Sequence, residues 1–348
     1  MSKKVRWGVI GAGGIADRRT IPGMMKAGNA ELIAVMEIDM KFAEDLKEKY
    51  SAKWAYDNVD DLLKNPDIDA VYIASPVEFH YDQAIKAARA KKHILLEKPM
   101  ALTTELGKEI MAECESNGVK LAVGLMMRFG AYHQRMKEMI KDGALGQIVS
   151  ARAQLTCWYP DMPDNWRQDP ARGGGGALMD MGIHCIDILE YIIGSNISKL
   201  VAFTDTKTFK YKADDSSAVL FEMENGCTGF VDNNFNIPDA AAQSFLEVYG
   251  TKGSFIAKGT ISQVDGGEVL AYLSDDELDY DAAQDRVDVE AVKIDVEFGD
   301  MYTRQIESFG RSILEDEPVL VPGDVGLRVQ RLCELAYESS DTKKIIDV

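Results

Sequence analysis

The start of the chain restricts its fold more than any other stretch. Val5–Ile10 is a short apolar run of strand character, and it leads straight into Gly11-Ala12-Gly13-Gly14-Ile15-Ala16, the opening of a helical segment, Ile15–Ala27. Gly11 permits a tight turn, Gly13 lets a pyrophosphate come close to the backbone, and Ala16 lets the helix pack against the strand. The helix start offers free N–H groups and partial positive charge to phosphates. A GxGxxA pattern is weak evidence alone; between a strand and a helix it has the context that it needs. Gly11, Gly13, Gly14 and Ile15 are therefore the expected cradle of a dinucleotide.

Alternation continues beyond this unit. Glu31–Glu37, Ala70–Ala74, His93–Leu96 and Lys120–Gly124 read as strands, with helices over Phe42–Tyr50, Tyr81–Ala90 and Thr104–Asn117 between them. Such alternation implies parallel strands with crossover helices, a doubly wound α/β sheet of Rossmann type. Glu37 closes the second strand. A carboxylate there accepts both ribose hydroxyls of adenosine and repels a 2′-phosphate, and Ile38 supplies no cation to hold one. NAD is expected over NADP.

After Gly124 the pattern changes. A helix over Tyr132–Lys141 is followed by β-type segments at Ile148–Leu155, Lys199–Thr204, Ser217–Met223, Gly226–Asn234 and Ser244–Gly250. Helices are expected at Ala177–Ile193, Tyr302–Leu314 and Val325–Tyr337. This is an α+β unit on one open, mostly antiparallel sheet. With 348 residues, two domains are expected: 1–125 and 126–348, the last helix being placed to pack back on the first domain.

Composition excludes some partners. The net charge of −18 repels phosphate backbones, against a nucleic-acid partner. No apolar run of about 20 residues occurs, so no membrane span is expected. Arg6 and the glycines break up Val5–Gly14, which therefore reads as no signal peptide. Five scattered cysteines without a CxxC pair read as free thiols of a reducing cytoplasm. The acidic stretch Asp275–Asp281 reads as a solvated hairpin tip rather than a metal site. No HxH, HExxH or Cys/His cluster appears, so no metal is expected.

Two further motifs carry chemistry. The strand His93–Leu96 ends in Glu97-Lys98-Pro99, at the sheet edge where ligands of open α/β folds bind. Lys98 there can polarise a substrate hydroxyl or carbonyl. Four glycines, Gly173–Gly176, precede a helix bearing Asp180 and His184, which are four apart and share a face. His184 has the pKa range of a general base, and Asp180 can orient a hydroxyl or tune a lysine. His80 follows Ser75-Pro76 at the same sheet edge and is placed near a cofactor; His93 reads as structural and His133 as a solvated helix residue.

Together these segments, with Gly143-Ala144-Leu145-Gly146, resemble the glucose–fructose oxidoreductase / inositol dehydrogenase / MocA family over nearly the whole chain. The resemblance implies catalytic roles for Lys98, Asp180 and His184, with His184 as acid/base. It implies cofactor contacts for Ser75, Pro76, His80, Glu97 and Lys98 besides the glycine loop and Glu37. It implies a sugar or cyclitol substrate and a homodimer or homotetramer paired through the sheet face. Two departures stand out. Met126-Met127 replaces the Asn or Gln that often precedes the Arg128-Phe129 pair, and Val77 stands where Asn is frequent. Trp158-Tyr159 to Trp166-Arg167 is similar to the substrate loop of pyranose-acting members, so Arg128, Tyr159, Trp166 and Arg167 join Asp180 and His184 as expected substrate contacts. Alternatives are a redox-neutral enzyme that retains its NAD and a non-catalytic sensor. Retention of Lys98, Asp180 and His184 weighs against the sensor.

Overall fold

Two sheets carry the architecture of the computed structural model, which describes residues 3–274 and 289–348; the acidic stretch 275–281 lies outside them. The first sheet contains β1 (Val5–Ile10), β2 (Ala30–Met36), β3 (Trp54–Tyr56), β4 (Ala70–Ile73), β5 (His93–Leu96) and β6 (Leu121–Val123), in the order β3-β2-β1-β4-β5-β6. Every pairing is parallel. β1 and β4 read as near-continuous apolar runs because helices cover both faces of such a sheet. Those helices are α1 (Ile21–Lys26), α2 (Met40–Tyr50), α3 (Val59–Leu63), α4 (His80–Arg89) and α5 (Thr104–Asn117). Strand order reverses between β1 and β4, and the carboxyl ends of these two strands frame the crevice where ligands of this topology bind.

The chain then forms α6 (Ala131–Lys141) and enters a nine-stranded sheet. Its strands are β7 (Ile148–Thr156), β8 (Ile197–Asp205), β9 (Ser216–Met223), β10 (Thr228–Asn234), β11 (Phe245–Gly250), β12 (Gly253–Lys258), β13 (Glu268–Leu273), β14 (Val292–Lys293) and β15 (Ile346–Asp347). The order is β14-β13-β12-β11-β7-β10-β9-β8-β15. The β7–β10 pair is parallel and the others are antiparallel. The expected strand set was incomplete: β3, β12, β13, β14 and β15 are additions; β3 and β12 lie beside lysines and glycines that dilute their apolar signal, and β14 and β15 are only two residues long. Helices α7 (Pro170–Gly173) and α8 (Ile183–Ile193) join β7 to β8, and α9 (Met301–Leu314) and α10 (Gly323–Thr342) follow β14.

All eleven residues of α8 are buried. Even its His184, Asp187 and Glu190 are buried, so α8 lies inside the protein, where it packs on β7 of the second sheet. Helix α10 joins the two sheets. Its Ser339 and Ser340 hydroxyls accept from the β8 amides of Ala202 and Thr204. Further along, Glu334 accepts from the Thr104 amide at 2.7 Å and Gln330 from that of Ala101 at 3.3 Å. α10 thus touches the first sheet unit at Ala101 and Thr104 and extends beyond 325–337 at both ends.

Two expected helices differ in detail. In Ile15–Ala27 the first part, Ala16–Thr20, is a π turn: the Ile21 amide reaches back five residues to the Ala16 carbonyl. In Ala177–Ile193 the same happens at Leu178–Gly182, where the Ile183 amide reaches the Leu178 carbonyl. Each turn holds one residue more than an α-helix would, and such insertions are frequent at functional sites. His133 also differs from expectation: it is buried, and its Nδ1 lies 2.8 Å from the Met127 carbonyl. The ring tucks under the Met126–Phe129 turn, where a Cβ on Gly130 would come within 3.0 Å of it. Among the described residues no helix is long and apolar enough to cross a membrane.

Candidate active site

The glycine loop has the stereochemistry expected of a phosphate cradle. Gly11 adopts φ +71°, and a Cβ there would fall 2.6 Å from the Ser75 amide nitrogen, so only glycine lets the ends of β1 and β4 meet. A Cβ on Gly13 would lie 3.0 Å from Glu37 Oε1, while the Gly13 amide donates to that oxygen at 2.6 Å. Gly14 faces open space. Ala16 is fully buried, as close packing of helix on strand requires. Glu37 leaves β2 beside this loop, and Ile38 next to it is 87% exposed. These residues fit a dinucleotide: a loop without side chains at Gly11, Gly13 and Gly14, a helix start behind it, and the Glu37 carboxylate beside it.

The loop opens onto a cavity of about 500 Å³ between the two sheets. Ile15, Ser75, His80, Glu97 and Lys98 line it from the first sheet, and Tyr159, Trp166, Arg167, Asp180 and His184 from the second unit. His80 is held by backbone on both sides, Nδ1 2.9 Å from the Pro99 carbonyl and Nε2 2.9 Å from that of Ser75. It ties the turn after β4 to the turn after β5, and burial draws its pKa down to about 4. Glu97 accepts from the Tyr72 hydroxyl at 2.5 Å and from the Lys98 amide at 3.3 Å. Burial raises its pKa against the pull of Tyr72 and Lys98.

Lys98 meets Asp180 across the cavity. Its Nζ donates to Asp180 Oδ1 at 2.8 Å and to the Asp180 carbonyl at 2.7 Å. Arg167 Nε stands 3.5 Å from the same carboxylate oxygen, and its guanidinium lies over the Trp166 ring, 4.1 Å from the centroid. Burial alone would raise the Asp180 pKa; Lys98 and Arg167 outweigh it and hold the carboxyl well below its usual range. His184 lies one turn later, in the first turn of α8. Burial, then Lys98, lower its pKa to about 3 against the opposing pull of Asp180, so the ring is neutral at ordinary pH. Its Nδ1 is buried without a partner.

Arg128 lies elsewhere. It enters a buried pair with Asp187, Nε at 2.9 Å and Nη2 at 2.7 Å from Oδ1, with its guanidinium over Tyr191. Met126 and Met127 line the cavity instead. A 3-10 turn at Met126–Phe129 sends the arginine toward α8 and its thioether neighbours toward the site.

Sequence reasoning passed over several residues at the site. Thr156, Cys157, Gln263, Tyr302 and Arg18 also line the cavity. They come from four separated segments, and nothing local marks them. Asp214 is a positioning residue with a readable signal, a doubled acid before a strand. Its carboxylate accepts from the Gly176 and Leu178 amides at 2.8 and 2.9 Å and from the Tyr337 hydroxyl at 2.7 Å. It caps the segment that carries Asp180.

A Rossmann cradle opening onto a lysine–aspartate–histidine cavity defines an oxidoreductase acting on CH–OH groups. Residues 5–125 match the model of the oxidoreductase family with NAD-binding Rossmann fold, and residues 133–256 match that of the GFO/IDH/MocA C-terminal domain. The chain belongs to this family of sugar and cyclitol oxidoreductases, and its first domain is NAD-binding. It is 29% identical over 265 residues to 1,5-anhydro-D-fructose reductase of Ensifer adhaerens, covering 76% of this chain and 79% of that one. It is 26% identical over 346 residues to myo-inositol 2-dehydrogenase of Thermotoga maritima, covering 98% of both. Levoglucosan dehydrogenase in complex with NADH and levoglucosan shares the fold, with TM-score 0.88, 23% identity, and coverage of 99% of this chain and 100% of that one.

Proposed function

We propose that the protein is an NAD-dependent dehydrogenase of a sugar, sugar derivative or cyclitol, with Lys98, Asp180 and His184 as its catalytic residues. One observation carries this reading: Lys98 Nζ is held 2.8 Å from Asp180 in a cavity that also presents a neutral imidazole. Bound NAD supplies the hydride acceptor, so the carbinol carbon loses a hydride and its hydroxyl a proton. Lys98 donates to the substrate oxygen and favours its negative charge as the O–H bond breaks. His184, neutral in the free protein, takes that proton at Nε2. In the other direction the same nitrogen returns it to a carbonyl oxygen. Asp180 keeps the ammonium aimed into the cavity, and Arg167 fixes Asp180 from the other side. Tyr159, Trp166 and Arg167 bound the substrate, while Gly11, Gly13, Gly14, Ile15, Ser75, Pro76, His80, Glu97 and Lys98 form or support the cofactor side. Glu37 selects NAD over NADP.

The division into domains at 125/126 follows the change from one sheet to the other, and the five cysteines, all unpaired, accord with a cytoplasmic protein. Assembly as a homodimer or homotetramer through the outward face of the second sheet would cover Phe203 and Leu220, 64% and 53% exposed in the single chain.

The test is a panel of inositols, aldoses, anhydrosugars and glycosides with NAD and with NADP, followed by NADH absorbance and product analysis. NADH accumulating with one of them is the expected result, and product without NADH would point instead to a redox-neutral reaction. In Lys98→Ala, kcat should fall by roughly 10³-fold with the Kd for NAD within about threefold. Unchanged turnover would remove Lys98 from the mechanism.

A further inference from the structure

The cavity has a second lobe, of about 510 Å³, beyond a shared wall of Arg18, Gln263 and Tyr302. Arg18, Arg19 and Lys26 supply its cations and Asp265 and Asp300 its acids. Both acids are engaged. Asp265 pairs with Arg304 at 3.0 Å and accepts from the Ala131 and Gly299 amides, and Asp300 caps α9 and pairs with Lys26 at 2.9 Å. Arg18 and Arg19 are not. Of the arginines among the described residues, these two alone lack a carboxylate partner and a hydrogen bond within the protein, and the Nε of Arg19 is buried without an acceptor.

We propose that Arg18 and Arg19 form an anion subsite, holding an oxyanion, a carboxylate or a phosphate, carried by the sugar substrate. This rests on the reading of the first lobe as the substrate site. Three cations line that lobe, and Lys98 and Arg167 both face Asp180, which leaves Arg18 as the one without a carboxylate neighbour among the described residues. In a chain of net charge −18 the general field opposes an anionic ligand, so one must be drawn in by local cations that no carboxylate neutralises. Guanidinium forks suit the two oxygens of a carboxylate or phosphate better than an ammonium does. The pair sits on the π turn Ala16–Thr20, after the glycine loop that suits the dinucleotide's phosphates. Its added residue changes which side chains of this helix face the lobe.

The experiment titrates the NAD-loaded protein with inorganic phosphate and with acetate by calorimetry, in wild type and in Arg18→Gln/Arg19→Gln. At least one anion should bind wild type with Kd of roughly 1–10 mM and lose about tenfold or more in the variant, with NAD affinity within about threefold. Phosphate alone would assign a phosphorylated substrate, acetate alone a sugar acid. Arg18→Lys/Arg19→Lys should keep most of the binding, which separates lost charge from misfolding, as does the thermal midpoint of each variant. Lys98→Ala should bind the anion normally, so failure of the hydride chemistry and failure of the subsite read out separately. The inference is overturned if neither anion binds wild type, if the glutamine variant binds equally, if NAD displaces the anion, or if the variant loses NAD affinity about tenfold.

Discussion

Asp180 and Asp187 lie seven residues apart on one continuous helical segment, and each faces a cation across a boundary between elements. Their environments push them in opposite directions. Asp180, its side chain 29% exposed to the cavity, is held low because Lys98 and Arg167 together outweigh burial. Asp187, 1% exposed, has a raised pKa because burial exceeds what Arg128 returns, and its Oδ2 has no partner at all. The same residue type in the same helix is thus an anion kept ready in one place and a reluctant anion in the other. The contrast separates a carboxylate that holds Lys98 at the cavity from one that fastens α8 to the Met126–Phe129 turn.

Between the two aspartates, the larger effect on turnover should come from Asp180→Asn, which keeps the shape and removes the charge that aims Lys98. kcat should fall by roughly 10²–10³-fold in steady-state assays with the panel substrate, run at a temperature where the variant stays folded. If Asp187→Asn costs as much in kcat, the comparison fails. Next, Arg128→Met leaves a buried carboxylate without its cation and should cost about 3–5 kcal/mol of stability in denaturant unfolding. Arg128→Met/Asp187→Leu should recover most of that loss, because two apolar groups leave no charge stranded. Failure to recover would mean that the pair does more than fasten the helix.

Acid titration sharpens the contrast through opposite signs. A carboxyl with a depressed folded pKa contributes stability that is present above its unfolded pKa, about 3.9, and is lost as pH falls through the folded value. Asp180→Asn should therefore flatten the acid limb of the Tm–pH curve below about pH 4. Asp187 has the reverse sign: its protonation as pH falls relieves a native-state cost, so Asp187→Asn should steepen the same limb. Like slopes in the two variants would contradict the assigned directions. For His184, with a pKa of about 3, oxidation should show no acid limb from this group until well below neutral pH. The smallest effect is on cofactor choice, where Glu37→Ala should lower the NAD over NADP preference by about tenfold in ratios of kcat/KM.

What was legible in the sequence follows how local each requirement is. The glycine loop was readable because Gly11 must take a positive φ beside Ser75, a demand met within one turn. Lys98 and Asp180 were readable separately, by residue type at a strand end and at a helix start. Their contact spans 82 positions and needed the fold. Arg128 was misplaced because a family position does not reveal which way a 3-10 turn points its side chain. His133 looked solvated because its helix begins polar, whereas burial is decided by the turn before it. Asp214 accepts from the Gly176 amide across 38 residues, so the doubled acid before β9 marked the residue while its capping role lay in topology.

The two π turns set the cavity by residue count as much as by residue type. Each adds one position to its helix, so removing a single residue from either would restore a regular helix and swing one flank against the other by about 100°. Asp180 and the arginines Arg18 and Arg19 would then face other neighbours with every side chain still present. Diversification by substitution leaves that axis unexplored. One-residue deletions in segments 16–20 and 178–182 are the steps by which such a site could be re-aimed, or lost, in a single event.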